Sequence, residues 1–155
     1  AVARAVRRAG APACGGGATA VLGTSRGVFG PRRGVHAALA HVIVDGCHVI
    51  VVPSRFEPCG RTQMYGLAYG TLPLVRRVGG LADTVRDSTR ADGNGFVSYE
   101  ARVDALGGAV DRVGAGWRDA SQWRALQMRA MNEDHRWAPS AARYMDVYRA
   151  LRPRA

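Results

Sequence analysis

From residue 36 onward the apolar positions fall into a regular pattern. His36 to Asp45 carries apolar residues at helical spacing and runs into Gly46, a good helix stop. Val49 to Val52 is an unbroken β-branched run, as expected of a parallel strand buried on both faces. Arg61 to Tyr69 reads as a helix ended by Gly70, and Leu72 to Val75 as the next strand. A Gly-Gly turn follows at Gly79-Gly80, with Asp83 placed to cap the helix or turn after it. The Gly93-Asn94-Gly95 turn then leads into a short strand, Phe96 to Ser98. Arg102 to Val113, Ser121 to Asn132 and Pro139 to Leu151 read as helices, with Pro139 suited to a first helical turn. Residues 1 to 34 show no such rhythm. They are rich in Ala, Arg and Gly, with a Gly triplet at 15 to 17, and partial disorder is expected there. The folded part is therefore expected at 35–155, as an α/β domain with a parallel sheet flanked by helices.

Within this pattern, Ile50 to Val85 holds the chemistry. A strand, a loop bearing Glu57 and a helix opened by small polar residues follow in order. That order puts an acid and a helix N-terminus at the carboxyl end of a strand, where open α/β sheets bind their ligands. Free N–H groups and a positive dipole end suit a phosphate. Glu57 would repel that phosphate, so it suits hydroxyl groups or a developing positive charge on the same ligand. An acid beside a phosphate site points to a sugar phosphate or a nucleotide-sugar. Pro58 holds the backbone of Glu57 extended and so fixes its direction. The alternative is a loop carboxylate paired with Arg55 or Arg61.

The run PSRFEPCGRTQMYGLAYGTLPLVRRVGGLADTV, Pro53 to Val85, closely resembles the signature block of bacterial glycogen synthases and plant starch synthases. A weaker resemblance continues through DGNGFVS (Asp92 to Ser98), MNEDHRW (Met131 to Trp137) and SAARYMDVYRAL (Ser140 to Leu151). The resemblance implies a retaining glucosyltransferase of the GT-B fold, of which this chain would supply the C-terminal, Rossmann-like half. The donor would be ADP-glucose and the acceptor the non-reducing end of an α-1,4-glucan, with no cofactor or metal. Glu57 would be the essential acid, steadying an oxocarbenium-like transition state. Gly60, Arg61 and Thr62 would wrap the diphosphate at the helix start, and Cys59 and Gln63 beside them would also bind the donor. Thr62 can either cap the helix or offer its hydroxyl to a phosphate. Arg61, where the family usually has Leu, can reach a phosphate or point to solvent. Tyr65 stands eight positions after Glu57, where related enzymes carry a ribose-binding acid and this family a Tyr. Gly79 and Gly80 resemble the turn that lets backbone amides approach the donor sugar, or serve as a plain loop. Arg76 and Arg77 can draw in an anion or remain solvated. His41 fits a helix-packing role. Trp137 to Leu151 would be the helix that crosses back to the N-terminal domain.

Several family features have no counterpart. The cationic motif that grips the diphosphate is only echoed by Thr24-Ser25-Arg26. Val35 stands for the adenine-stacking aromatic, Ala37 for an acidic position, and His48 for the usual Asp. The N-terminal, acceptor-side GT-B domain is missing. The chain is thus expected to be a fragment of a longer enzyme, inactive by itself, or a non-catalytic remnant that binds a nucleotide or glucan weakly. The leader is Arg-rich and acid-poor like a transit peptide, but it precedes the middle of a catalytic domain. A truncated or misjoined start explains it better.

Net charge of +10 would suit a polyanion, yet all 22 basic residues are Arg, spread from Arg4 to Arg154. Aromatics are 7% and not interleaved with them. That describes a biased composition rather than a nucleic-acid surface. Cys14, Cys47 and Cys59 lack a paired spacing, so no disulfide framework or zinc site is implied and a reducing compartment is the default. No apolar run approaches the ~18 residues of a membrane span. The bacterial cytoplasm is the expected location, with the plastid stroma as the alternative.

Overall fold

The computed structural model describes residues 2–7, 19–24, 29–31 and 37–151. A six-stranded sheet in the order β3-β2-β1-β4-β5-β6 runs through it. Its parallel part is β4 (Val49–Val52), β5 (Leu72–Arg76) and β6 (Phe96–Ser98), with Val51 opposite Leu74 and Leu74 opposite Phe96. β1 (Val2–Arg7) lies parallel to β4, and β2 (Thr19–Thr24) and β3 (Phe29–Pro31) extend the sheet antiparallel beyond it. These three strands fall in the leader, where the sequence predicted no element. Cys14, Ser25, Arg26 and Val35, and the rest of the leader's expected disorder, lie outside the described residues.

Among the described residues, six helices accompany the sheet: α1 (Ala37–Asp45), α2 (Thr62–Tyr69), α3 (Gly79–Thr84), α4 (Val103–Arg118), α5 (Ala120–Met131) and α6 (Trp137–Leu151). α1 to α5 cover both faces of β4, β5 and β6, and this is why β4 is apolar throughout and β5 is apolar up to Arg76. Val49, Val51, Leu72, Leu74 and Phe96 pack with Leu67 of α2, Ala109 of α4, and Trp123, Leu126 and Ala130 of α5. Ile50, Val52, Val75 and Val97 meet Val44 of α1, Leu81 of α3 and Val85 on the other face. Each fully buried Leu here contributes about 2 kcal/mol. Gly70 ends α2 in the left-handed region, at φ 72°. Next to it the buried Thr71 hydroxyl lies 2.6 Å from the Val44 carbonyl and 2.8 Å from that of Cys47, sharing one proton between them at the end of α1.

Four expectations need correction. The Gly79-Gly80 turn is the opening of a short helix, α3, and Asp83 lies inside it rather than capping anything. α4 runs on past Val113 to Arg118, with Gly116 buried within it where an added Cβ would lie 3.5 Å from the Phe96 ring. α5 starts one residue earlier than expected, capped by Asp119, whose Oδ1 accepts from the N–H groups of Ser121 and Gln122. α6 begins at Trp137, two residues before the expected start at Pro139, and ends at Leu151 as expected, and no residue in it is buried.

The buried Asp87 ties α3, β6 and α4 together. Its Oδ2 accepts from the Val97 N–H at 2.8 Å and from Arg112 at 3.3 Å, and its Oδ1 accepts from the Thr89 N–H and hydroxyl. Burial pushes the carboxyl up, but the hydrogen bonds from Thr89 and Val97 and the Arg112 charge outweigh it and hold Asp87 below its ordinary range.

Candidate functional site

β4 delivers the chain to Pro53, and residues 54 to 61 form the loop that leads into α2. Glu57 is half-buried in this loop and accepts a hydrogen bond from the Ser54 hydroxyl at 3.0 Å. Among the described residues it pairs with neither Arg55 nor Arg61. A short polar tether, not a cation, fixes the carboxylate, so its charge is left for a ligand.

The loop is held from three directions. Arg76, at the end of β5, donates from Nε to the Ser54 carbonyl at 2.8 Å and from Nη2 to the Arg55 carbonyl. Its guanidinium thus spends two N–H groups on the loop backbone, while Arg77 lies over the Tyr99 ring at 5.9 Å. The Gly80 N–H donates to the Glu57 carbonyl at 3.1 Å. Gln63 is 0% exposed, and its Nε2 donates to the Gly60 carbonyl at 2.9 Å and to Thr84 Oγ1 at 3.2 Å. The Thr84 hydroxyl in turn donates to the Gly80 carbonyl at 2.7 Å. The Gln63 amide thus braces α2, α3 and the acid loop from beneath.

Glycines make this closeness possible. A Cβ on Gly80 would lie 2.6 Å from the Cys59 carbonyl carbon, and one on Gly79 would lie 3.0 Å from that of Glu57. Gly79 also sits at φ 44° and Gly60 at φ 67°, values that disfavour other residues. Gly60 leaves room for Gln63 Oε1, which a Cβ there would approach to 2.7 Å.

The start of α2 is open. Arg61 occupies the cap position with no side-chain hydrogen bond to the helix, so Thr62 is the first helical residue and not the cap. The N–H groups of Thr62, Gln63 and Met64 head the helix without intrahelical partners, at its positive end. Cys59 is exposed as a free thiol, Arg61 points to solvent, and Thr62 is half-buried. Tyr65 stands one turn along α2, with its ring edge 5.2 Å from His41. His41 also meets Tyr69, Nδ1 to hydroxyl at 3.1 Å, so it packs α1 against α2 as expected. His48 packs on Trp117 at 4.5 Å, away from the loop.

The geometry gathers Glu57, Cys59, Gly60, Arg61, Thr62, Gly79 and Gly80 around one loop, with Gln63 beneath it and Tyr65 at its flank. Sequence reasoning missed Ser54 and Thr84, for which the chain gives no local signal. It also left the loop-binding role of Arg76 unseen. Chemically, a fixed and unpaired carboxylate beside an open helix start can accept from ligand hydroxyls while the helix end holds an anion.

The chain is 50% identical to the glycogen synthase of Serratia proteamaculans and 51% identical to that of Pectobacterium atrosepticum, in each case across 75% of this chain. The matched region belongs to the glycogen and starch synthase family. It spans 25% of the length of these curated relatives. The fold agrees: it superposes on the catalytic domain of Arabidopsis thaliana starch synthase IV, solved with ADP and acarbose, with a TM-score of 0.69 and 33% sequence identity, covering 75% of this chain and 25% of that one. The parallel sheet with flanking helices is accordingly a part of the GT-B glycosyltransferase fold. No family model matches the chain. Among the described residues no helix is long and apolar enough to cross a membrane.

Proposed function

We propose that this chain forms the donor-side part of a glucosyltransferase that moves glucose from ADP-glucose to the non-reducing end of an α-1,4-glucan with retention of configuration. The observation that carries the proposal is the Glu57 carboxylate, tethered by Ser54 and unpaired with any cation among the described residues, beside the open N-terminus of α2. The donor diphosphate would lie on the N–H groups of the first turn, with Gly60 allowing close backbone approach and Thr62 and Arg61 at its edge. Glu57 would hold the glucose hydroxyls and stabilise positive charge as the glycosidic bond to the diphosphate breaks. Tyr65 would flank the ribose, and Gly79 and Gly80 would present backbone to the sugar.

The acceptor and the remaining catalytic groups would come from an N-terminal GT-B domain, in the cytoplasm. Turnover needs that domain, so the chain by itself is tested by binding. The experiment is calorimetric titration of ADP-glucose into the chain, with Glu57→Ala alongside. Saturable binding that weakens in the variant supports a formed donor half-site. A folded chain that gives no heat points to the second reading, a remnant without donor affinity, which the Val35 and Ala37 positions favour.

A further inference from the structure

Beside the acid loop, sharing Arg55 and the bracing Arg76 with it but none of Glu57, Cys59, Gly60, Arg61, Thr62, Gly79 or Gly80, lies a pocket of about 160 Å³ at the carboxyl ends of β4, β5 and β6. Arg55, Arg76, Ser98, Glu100, Arg102 and Leu106 are among its lining residues. Its walls thus carry three arginines against one glutamate.

The distribution of partners matters more than that sum. Arg102 takes the nearby acids for itself, with Asp104 at 2.9 Å and Glu100 at 3.9 Å. Arg55 and Arg76 have no carboxylate partner among the described residues. Both line the pocket, and Arg76 also donates to the Arg55 backbone carbonyl. Arg76 spends two of its five N–H groups on the Ser54 and Arg55 carbonyls and keeps the others. Ser98 is 4% exposed, and its hydroxyl makes only a long 3.4 Å contact to the Glu100 carbonyl, so it can turn to a better acceptor. Two guanidiniums without a carboxylate partner among the described residues and a buried hydroxyl line one pocket and form a donor set for an oxyanion, and arginine's fork suits a phosphate in particular.

We propose that this pocket is a second anion site, distinct from the helix start at α2, and that it takes a phosphate group. The apolar wall at Val103 and Leu106 gives the carbon part of a small phosphate monoester a place to lie.

The test is a titration of the 155-residue chain, labelled with ¹⁵N, first with inorganic phosphate and then with glycerol phosphate, followed by amide chemical shifts. The expected result is saturable shifts at Ser98 to Val103 and at Arg55. Tighter binding of glycerol phosphate would identify a monoester as the natural ligand class, and equal binding would identify free phosphate. Arg55→Ala removes a side chain with no hydrogen bond among the described residues, so the fold should persist while affinity drops about tenfold. In Glu57→Ala the same shifts should remain, which separates this site from the proposed donor site. Shifts confined to Gly60 to Gln63, or an Arg55→Ala chain that binds phosphate as tightly as the parent, would overturn the proposal.

Discussion

Replacing Gly80 by Ala tests the architecture of the acid loop with a single methyl group. The new Cβ would stand 2.6 Å from the carbonyl carbon of Cys59 and 2.8 Å from its Cα. Carbon atoms in contact sit ~3.5–4.0 Å apart, so the two segments must separate by about 1 Å. Backbone lies on both sides of the overlap, and no rotamer change can relieve it. Overpacking of this kind costs about 1–3 kcal/mol. The hydrogen bond from the Gly80 N–H to the Glu57 carbonyl stretches at the same time, which places the expected loss near 2 kcal/mol. With a urea slope of about 2 kcal/mol/M, the unfolding midpoint should fall by about 1 M. The same displacement moves Glu57, so any ADP-glucose affinity should drop in the molecules that remain folded. The assay is urea unfolding of parent and variant followed by tryptophan fluorescence, with donor titration at zero urea. A Gly80→Ala chain with an unchanged midpoint would refute the claim that α3 braces the loop.

Gly107 carries the opposite sign. It lies inside α4 with open space where a Cβ would go, so Gly107→Ala should stabilise the chain by about 0.5–1 kcal/mol, read from the same urea curves. Asp87→Asn should destabilise by about 2–4 kcal/mol at neutral pH, because it uncouples Arg112 and weakens the hold on Val97. The Asp87 carboxyl is held below its ordinary range in the folded chain, so its stabilising effect is complete above about pH 4 and disappears as pH falls through the folded value. The gap between parent and variant should therefore narrow in acid, as thermal melts across pH 2 to 7 would show.

The sequence made legible those elements whose pattern and punctuation agree. β4, β5 and β6 are apolar runs of the lengths observed, and Gly70 stops α2 where a left-handed residue is needed. It concealed elements that tertiary contact sustains. α3 opens on two glycines, a local signal for a turn, and is held as a helix by the Glu57 carbonyl and by the Gln63 and Thr84 hydrogen bonds. α4 passes through Gly114 and Gly116 because the second of these packs beneath aromatic rings. The position of Glu57 on the loop between β4 and α2 was legible from its neighbours in the chain. The inward turn of Gln63 was not, since burial depends on Thr84, twenty-one positions later. Asp87 gave no signal either, as its partners Val97 and Arg112 are remote in sequence.

Burial of both faces of β4 and β5 has a consequence for how the chain finds its fold. A strand with one wet face selects its partner register, because a slip by one residue would expose its apolar side chains. β4 is buried at every position, and so is β5 up to Arg76, so alternation offers no such choice between them. The polar mark at their junction is Thr71, whose hydroxyl meets the carbonyls that end α1, while the next N–H, of Leu72, donates to His48. Docking of this one threonine indexes β5 against β4. A collapsed chain in which α1 has not yet formed therefore lacks the reference point that distinguishes the native pairing from its slipped neighbours.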